Sequence, residues 1–107
     1  MKNLLLSSLL IISLGVTATA HSATINGTGG NDTLRGTNSD DQIRGRGGND
    51  GLLGRGGDDV INGDNGDDDI FGGGGDDRLF GNNGNDEIYG EGGDDQCAGG
   101  RTRSCER

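Results

Sequence analysis

The sequence contains no proline and no tryptophan, one tyrosine, two phenylalanines and one histidine. Hydrophobic residues are 27% of the 107, and twelve of them fall within Met1–Ala20. Beyond Ala20, Leu, Ile, Val and Phe number twelve, about 14% of that stretch and below the ~20% under which a highly charged chain is usually disordered. This argues against a conventional enzyme with one large core, and the length argues against several domains. Basic residues are scarce as well. Nine of them oppose 18 acids, for a net charge of −9, which repels phosphate and disfavours a nucleic-acid partner. Catalytic signatures are missing: there is no His-Glu-x-x-His, no Gly-x-Ser-x-Gly and no Cys/His nucleophile pair near the Gly-rich segments, and the lone His21 is read as inert. No Gly-rich stretch follows an apolar strand or opens a helix as a phosphate loop does. No segment has the ligand order of an EF-hand. The chain is therefore either a disordered polyanion or a fold held by something other than hydrophobic burial.

The apolar residues that are present are concentrated at the start. Met1-Lys2 is followed by the apolar run Leu4–Val16 and by Ala18-Thr19-Ala20, the order of a cleavable signal peptide with its cut before His21. The run is interrupted by Ser7, Ser8 and Ser13 and is shorter than the ~20 residues needed to span a bilayer, so a stable membrane span is not expected. The mature chain is expected outside the cytoplasm, secreted or periplasmic, with a net charge of −10 once Lys2 is lost.

Glycine, at 25 residues, is abundant and periodic. It opens every ninth position at Gly27, Gly36, Gly45, Gly54, Gly63, Gly72, Gly81, Gly90 and Gly99. The fourth position of each unit is Gly, except for Ser39, and the fifth is Asn or Asp. The sixth is invariant: Asp32, Asp41, Asp50, Asp59, Asp68, Asp77, Asp86 and Asp95. The eighth is Leu34, Ile43, Leu52, Ile61, Ile70, Leu79, Ile88 and finally Cys97. Eight units without an insertion override the disorder that composition alone suggests. In each unit the first six residues suit a tight turn, with glycine where φ must be positive. The last three suit a very short strand whose middle side chain faces inward. Glycine at this density rules out helix. Two units make one coil of eighteen residues, and four coils stack into two parallel sheets.

Units such as Gly72-Gly73-Gly74-Gly75-Asp76-Asp77-Arg78-Leu79-Phe80 resemble the RTX, or haemolysin-type, calcium-binding nonapeptide repeat. The resemblance covers Gly27 to Ala98. It implies an all-β fold, a right-handed parallel β-roll of about four coils, in a protein exported by a Gram-negative bacterium. It also implies that calcium lies between turns one coil apart, held by the eight sixth-position Asp carboxylates and by main-chain carbonyls of the turns. Calcium is a hard cation that takes six to eight oxygens, and glycine turns leave carbonyls unobstructed. Each carboxylate is expected to turn its two oxygens to the ions above and below. Stacking pairs Asp32, Asp50, Asp68 and Asp86 on one edge and Asp41, Asp59, Asp77 and Asp95 on the other, for up to six ions. Unpaired, these columns repel, so the chain is expected to fold on calcium and to have no active site. The large members of the family leave the cell by a C-terminal signal, whereas this chain carries an N-terminal one.

The resulting division is a signal peptide over 1–20, a lead-in over 21–26, the roll over 27–98 and a capping tail over 99–107. Ser39 is expected to distort the site between Asp41 and Asp59. Cys97 and Cys105 suit a disulfide that caps the last coil, allowed in an exported chain, with two free thiols or an intermolecular pair as alternatives. Leu53, Phe71 and Tyr89 are expected to stack on one outer face and Phe80 on the other, as a covering ladder or a strip for an extracellular protein or surface partner. The scattered arginines are read as local charge balance. Beyond calcium binding, the rival readings are an adhesion or interaction module, a remnant or accessory of a larger toxin or hydrolase, and an ice-binding roll. The last is disfavoured because Thr28 and Thr37 do not recur in later units.

Overall fold

The structure, a computed structural model, describes residues 21–105; the signal peptide expected over 1–20 and the last two residues of the tail lie outside them. Among the described residues there is no helix. Ten strands are present: β1 (Thr24–Asn26), β2 (Thr33–Arg35), β3 (Gln42–Arg46), β4 (Gly51–Arg55), β5 (Val60–Asp64), β6 (Asp69–Gly73), β7 (Arg78–Phe80), β8 (Glu87–Glu91), β9 (Gln96–Ala98) and β10 (Arg101–Arg103). Odd strands form one five-stranded sheet in the order β1-β3-β5-β7-β9, and even strands form the other, β10-β8-β6-β4-β2. Every pairing is parallel, and from β1 to β9 it joins residues eighteen apart, as in Ile43 with Ile61 and Leu52 with Ile70. The chain is a β-solenoid of about four turns.

The slab is 12 Å thick along its short axis, close to the ~10 Å separation of two stacked sheets, so one layer of side chains fills it. That layer is the eighth-position column, Leu34 through Ile88, buried together with Ile25. The repeat therefore begins structurally one strand before Gly27: Thr24-Ile25-Asn26 pairs with Gln42–Arg44 and supplies a core residue. At the other end Gly99 and Gly100, both left-handed (φ 85° and 76°), make a tight reversal. Arg101–Arg103 then pairs with Glu87–Tyr89 at an offset of fourteen residues instead of eighteen. Arg101 and Arg103 on this short edge strand oppose further strand addition. Five strands run on into the first two residues of the next unit, longer than the three residues expected, because Arg46, Arg55 and Gly73 keep pairing with Asp64, Gly73 and Glu91.

Cys97 takes the eighth position of the last unit and is bridged to Cys105, with Cα atoms 6.0 Å apart. Both half-buried sulfurs pack against the end of the core. On the outer face, Leu53, Phe71 and Tyr89 lie in register. The Phe71 and Tyr89 rings stack at 5.0 Å and 5°. Arg44 pairs with Asp64 at 3.2 Å and Arg101 with Glu87 at 3.9 Å, so these two arginines do balance local charge.

Candidate metal centre

Each sixth-position Asp ends a glycine turn and precedes a strand, which turns its side chain into the slab beside the aliphatic column. Asp41, Asp50, Asp59, Asp68, Asp77, Asp86 and Asp95 are all buried, and Asp32, at the N-terminal end, is half-buried. The structure thus brings the eight predicted residues into two columns, one along each edge. Among the described residues no three acidic, Cys or His side chains converge on a point. Each layer instead contributes a single carboxylate and main-chain oxygens.

The two oxygens of each carboxylate have different environments. Oδ1 accepts the backbone N–H of the Asp one coil earlier: Asp32 to Asp50, Asp41 to Asp59, Asp50 to Asp68, Asp59 to Asp77, Asp68 to Asp86 and Asp77 to Asp95, all at 2.7–2.9 Å. Of the two oxygens expected to face metal, one is thus engaged by the stacking of coils. Oδ2 of Asp50, Asp59, Asp68, Asp77 and Asp86 is buried and has no hydrogen-bond partner. Such an oxygen costs free energy unless something neutralises it.

Oδ2 lies close to a carbonyl oxygen of the next coil. A Cβ built on Gly45, Gly54, Gly63 or Gly72 would collide with the Oδ2 of Asp50, Asp59, Asp68 or Asp77. It would also lie 2.6–3.1 Å from the carbonyl oxygen of Gly63, Gly72, Gly81 or Gly90, one coil on. Carboxylate and carbonyl oxygens converge over a bare α-carbon, and Oδ2 receives no hydrogen bond there. This donor set fits a hard cation such as calcium.

The turns are shaped by left-handed residues. The fourth glycines Gly48, Gly57, Gly66, Gly75, Gly84 and Gly93 have φ between 90° and 115°, and a side chain there would run into the backbone of the coil before it. The second residues Arg46, Arg55, Asp64, Gly73, Asn82 and Glu91 are left-handed as well (φ 69–93°). Fifth-position residues make a second ladder on the exposed rim. The carboxylate or amide Oδ1 of Asn31, Asn49 and Asp67 accepts from the backbone of Asn49, Asp67 and Asn85, and that of Asp40, Asp58 and Asp76 from Asp58, Asp76 and Asp94. This ladder accepts from the following coil, the buried one from the preceding coil, so each interface is bonded in both senses.

The first two units are built differently, a feature that sequence reasoning missed. Thr28 donates its N–H to Asp32 Oδ2 at 2.6 Å and its hydroxyl to the same carboxylate at 3.0 Å. Thr37 does the same for Asp41, at 2.6 and 3.1 Å. Each threonine Oγ1 also accepts the N–H two residues on, from Gly30 and Ser39 at 3.0 Å. Gly30 and Ser39 are not left-handed, which is why Ser39 is accommodated, and the Asp41 to Asp59 bond keeps the 2.8 Å of its neighbours. The available signal was a β-branched residue at the second position, which strongly disfavours the left-handed φ of later units.

Burial raises the affinity of four of the carboxylates for protons. Asp59 is pushed up to about 7, chiefly by burial and then by the charges of Asp77 and Asp41, against the hydrogen bond from Asp41. Asp68 is pushed up to about 6 by burial and by Asp50 and Asp86, and Asp77 to about 6 by burial and by Asp95. Asp50 is raised for the same first reason. Neither arginine ion pair described above involves this column.

A family model described as the RTX calcium-binding nonapeptide repeat (4 copies) matches residues 17–52, 52–79 and 71–102. The chain belongs to this family. No curated protein and no solved structure gives a significant match. RTX repeats bind calcium, and this RTX chain has the parallel β-roll and the oxygen-lined turns for it. No helix among the described residues is long and apolar enough to cross a membrane.

Proposed function

We propose that this RTX protein is exported with its leader removed and that its roll folds on calcium outside the cytoplasm, where it acts as a binding scaffold with no catalytic role. The observation that carries the reading is the buried, unpartnered Oδ2 of Asp50, Asp59, Asp68, Asp77 and Asp86, four of them facing a carbonyl oxygen of the next coil. Asp95, at the end of the second column, is proposed as a further ligand. Bound calcium would supply the positive charge that this donor set lacks.

The chain's own residues prepare the rest. The left-handed glycines bring carbonyls to the edge of each coil, the Asp-to-Asp hydrogen bonds fix each carboxylate, and the aliphatic column sets the spacing. Without a cation, buried acceptors face acceptors and like charges stack at about 4.8 Å along the sheet. The aliphatic column is too thin to compensate for ordering so many residues. Extracellular calcium modules have dissociation constants of about 10⁻⁴–10⁻³ M, suited to calcium levels outside the cell and not inside it.

The test is circular dichroism of the mature chain in chelator and across a calcium titration. The chain in chelator should be expanded and without β signal, and millimolar calcium should compact it cooperatively. Full β structure in chelator would contradict the proposal.

A further inference from the structure

We infer that the first coil is closed by Thr28 and Thr37 in place of calcium, so that metal binding begins at the third turn and Asp32 and Asp41 are not ligands. The inference rests on the calcium reading above and assigns which of the eight carboxylates take part in it.

The first-coil turns contain the same parts as the later ones. A Cβ on Gly27 would meet Asp32 Oδ2 and the Gly45 carbonyl, and one on Gly36 would meet Asp41 Oδ2 and the Gly54 carbonyl. The difference is that donors are directed into the site. Asp41 accepts the Thr37 N–H and hydroxyl and, at Oδ1, the Ala23 N–H at 2.8 Å. Asp32 accepts the Thr28 N–H and hydroxyl. An N–H and an O–H pointing at a carboxylate put partial positive charge where a cation would have to sit, and they leave that oxygen satisfied. In the five later turns ending at Asp50, Asp59, Asp68, Asp77 and Asp86, the second residue is left-handed and Oδ2 has no such donor.

The placement has a physical reason. The turn ending at Asp32 is the first of its column and leaves Asp32 half-buried, so a cation there would have fewer protein oxygens around it; at the turn ending at Asp41 the lead-in backbone places an N–H, that of Ala23, on the carboxylate. A threonine closes the turn locally, using a hydroxyl that both donates to the carboxylate and accepts from the N–H of Gly30 or Ser39. The terminal coil then offers a metal-independent edge on which the first calcium-dependent turn, ending at Asp50, can stack.

The experiment counts ions at saturating calcium, by calorimetry and by metal analysis of the folded protein, in the full mature chain and three variants. Asp41→Asn is expected to bind as many calcium ions as the unaltered chain, whereas Asp59→Asn is expected to bind at least one fewer. The double variant Thr37→Gly with Ser39→Gly, which gives the second turn the sequence of the later ones, is expected to bind one more. An ion lost from Asp41→Asn as from Asp59→Asn, or no gain in the double variant, would overturn this inference and leave the calcium reading standing. An unaltered chain that binds no calcium would overturn both.

Discussion

The backbone N–H of Asp50 donates to Oδ1 of Asp68, eighteen residues later, at 2.8 Å. This bond joins the metal-binding question to the stacking question. The residue proposed to hold a cation through one oxygen is the residue that ties its coil to the previous one through the other. Ligand and structural tie are the same side chain, so removing it affects both roles, and a control with matched charge is needed to separate coordination from bulk electrostatics.

Acidity should act on the calcium-free and calcium-bound chains in opposite directions. In the folded state Asp59 is pushed up to about 7, and Asp68 and Asp77 to about 6. Raised values mean that the calcium-free fold gains relative stability at low pH, and that this gain is lost as pH rises through about 6 to 7. Calcium needs the ionised carboxylates, so the calcium midpoint should fall as pH rises over that window. Titrations in weak buffer near pH 6 should show proton release on binding; a midpoint unchanged between pH 5.5 and 7.5 would count against the buried column as the ligand set.

Two glycines provide a contrast in backbone tolerance. Gly66 has φ +115° and its missing Cβ would lie against the carbonyl of Gly48, whereas a Cβ at Gly51 meets nothing within 4 Å. Gly66→Ala should lose at least about 1–3 kcal/mol of calcium-bound stability from the strained backbone alone. Gly51→Ala should be neutral or stabilising by about 0.4–1 kcal/mol through the unfolded chain. Urea unfolding at fixed calcium measures both.

The disulfide should be coupled to the last turn. Beyond Gly90, where other turns meet the first glycine of the next coil, the close carbonyl belongs to Ser104, next to Cys105. Closing so short a loop constrains the unfolded chain by roughly 2–3 kcal/mol on the entropic model. Oxidised protein should weigh two hydrogens less than reduced protein, and Cys105→Ser should raise the calcium midpoint. A midpoint that does not move would separate the bridge from the roll's stability.

The periodic part of this architecture was legible in the sequence. One aliphatic in every ninth place, Leu34 to Ile88, could only face inward, and an eighteen-residue coil follows from alternate edges. Asp in every sixth place then had to form columns. The ends were less legible, because Ile25 lacks a preceding glycine turn to mark its unit, and because Gly99-Gly100 shorten the final offset in a way no earlier unit anticipates. Spacing also does not reveal hydrogen-bond direction. That Oδ1 of Asp68 would be taken by the N–H of Asp50, leaving Oδ2 alone, depends on how the turn orients its peptides. Thr28 and Thr37 were visible as residues, but their meaning depended on the left-handed second position of later turns.

Magnesium should fail where calcium succeeds. The proposed ligands are carbonyls and one carboxylate oxygen per layer held by a stacked backbone, and magnesium demands near-ideal octahedral geometry and dehydrates reluctantly. Circular dichroism at millimolar magnesium should match the chelator spectrum; recovery of β signal with magnesium alone would contradict calcium-selective turns.

Asp67, Asp68 and Asp69 are adjacent and equal in charge, but their positions differ. Asp68 is buried with an unpartnered Oδ2, Asp67 is an exposed rim residue accepting from the Asn85 N–H, and Asp69 is an exposed strand residue. The most direct test of the account is calcium calorimetry on the Ala variant of each. Asp68→Ala should lose binding and raise the calcium midpoint by at least tenfold, which is about 1.4 kcal/mol per tenfold. Asp67→Ala should be intermediate through its lost rim bond, and Asp69→Ala should be nearly silent. Three indistinguishable variants would mean that calcium responds to charge alone, contradicting coordination by the sixth-position column.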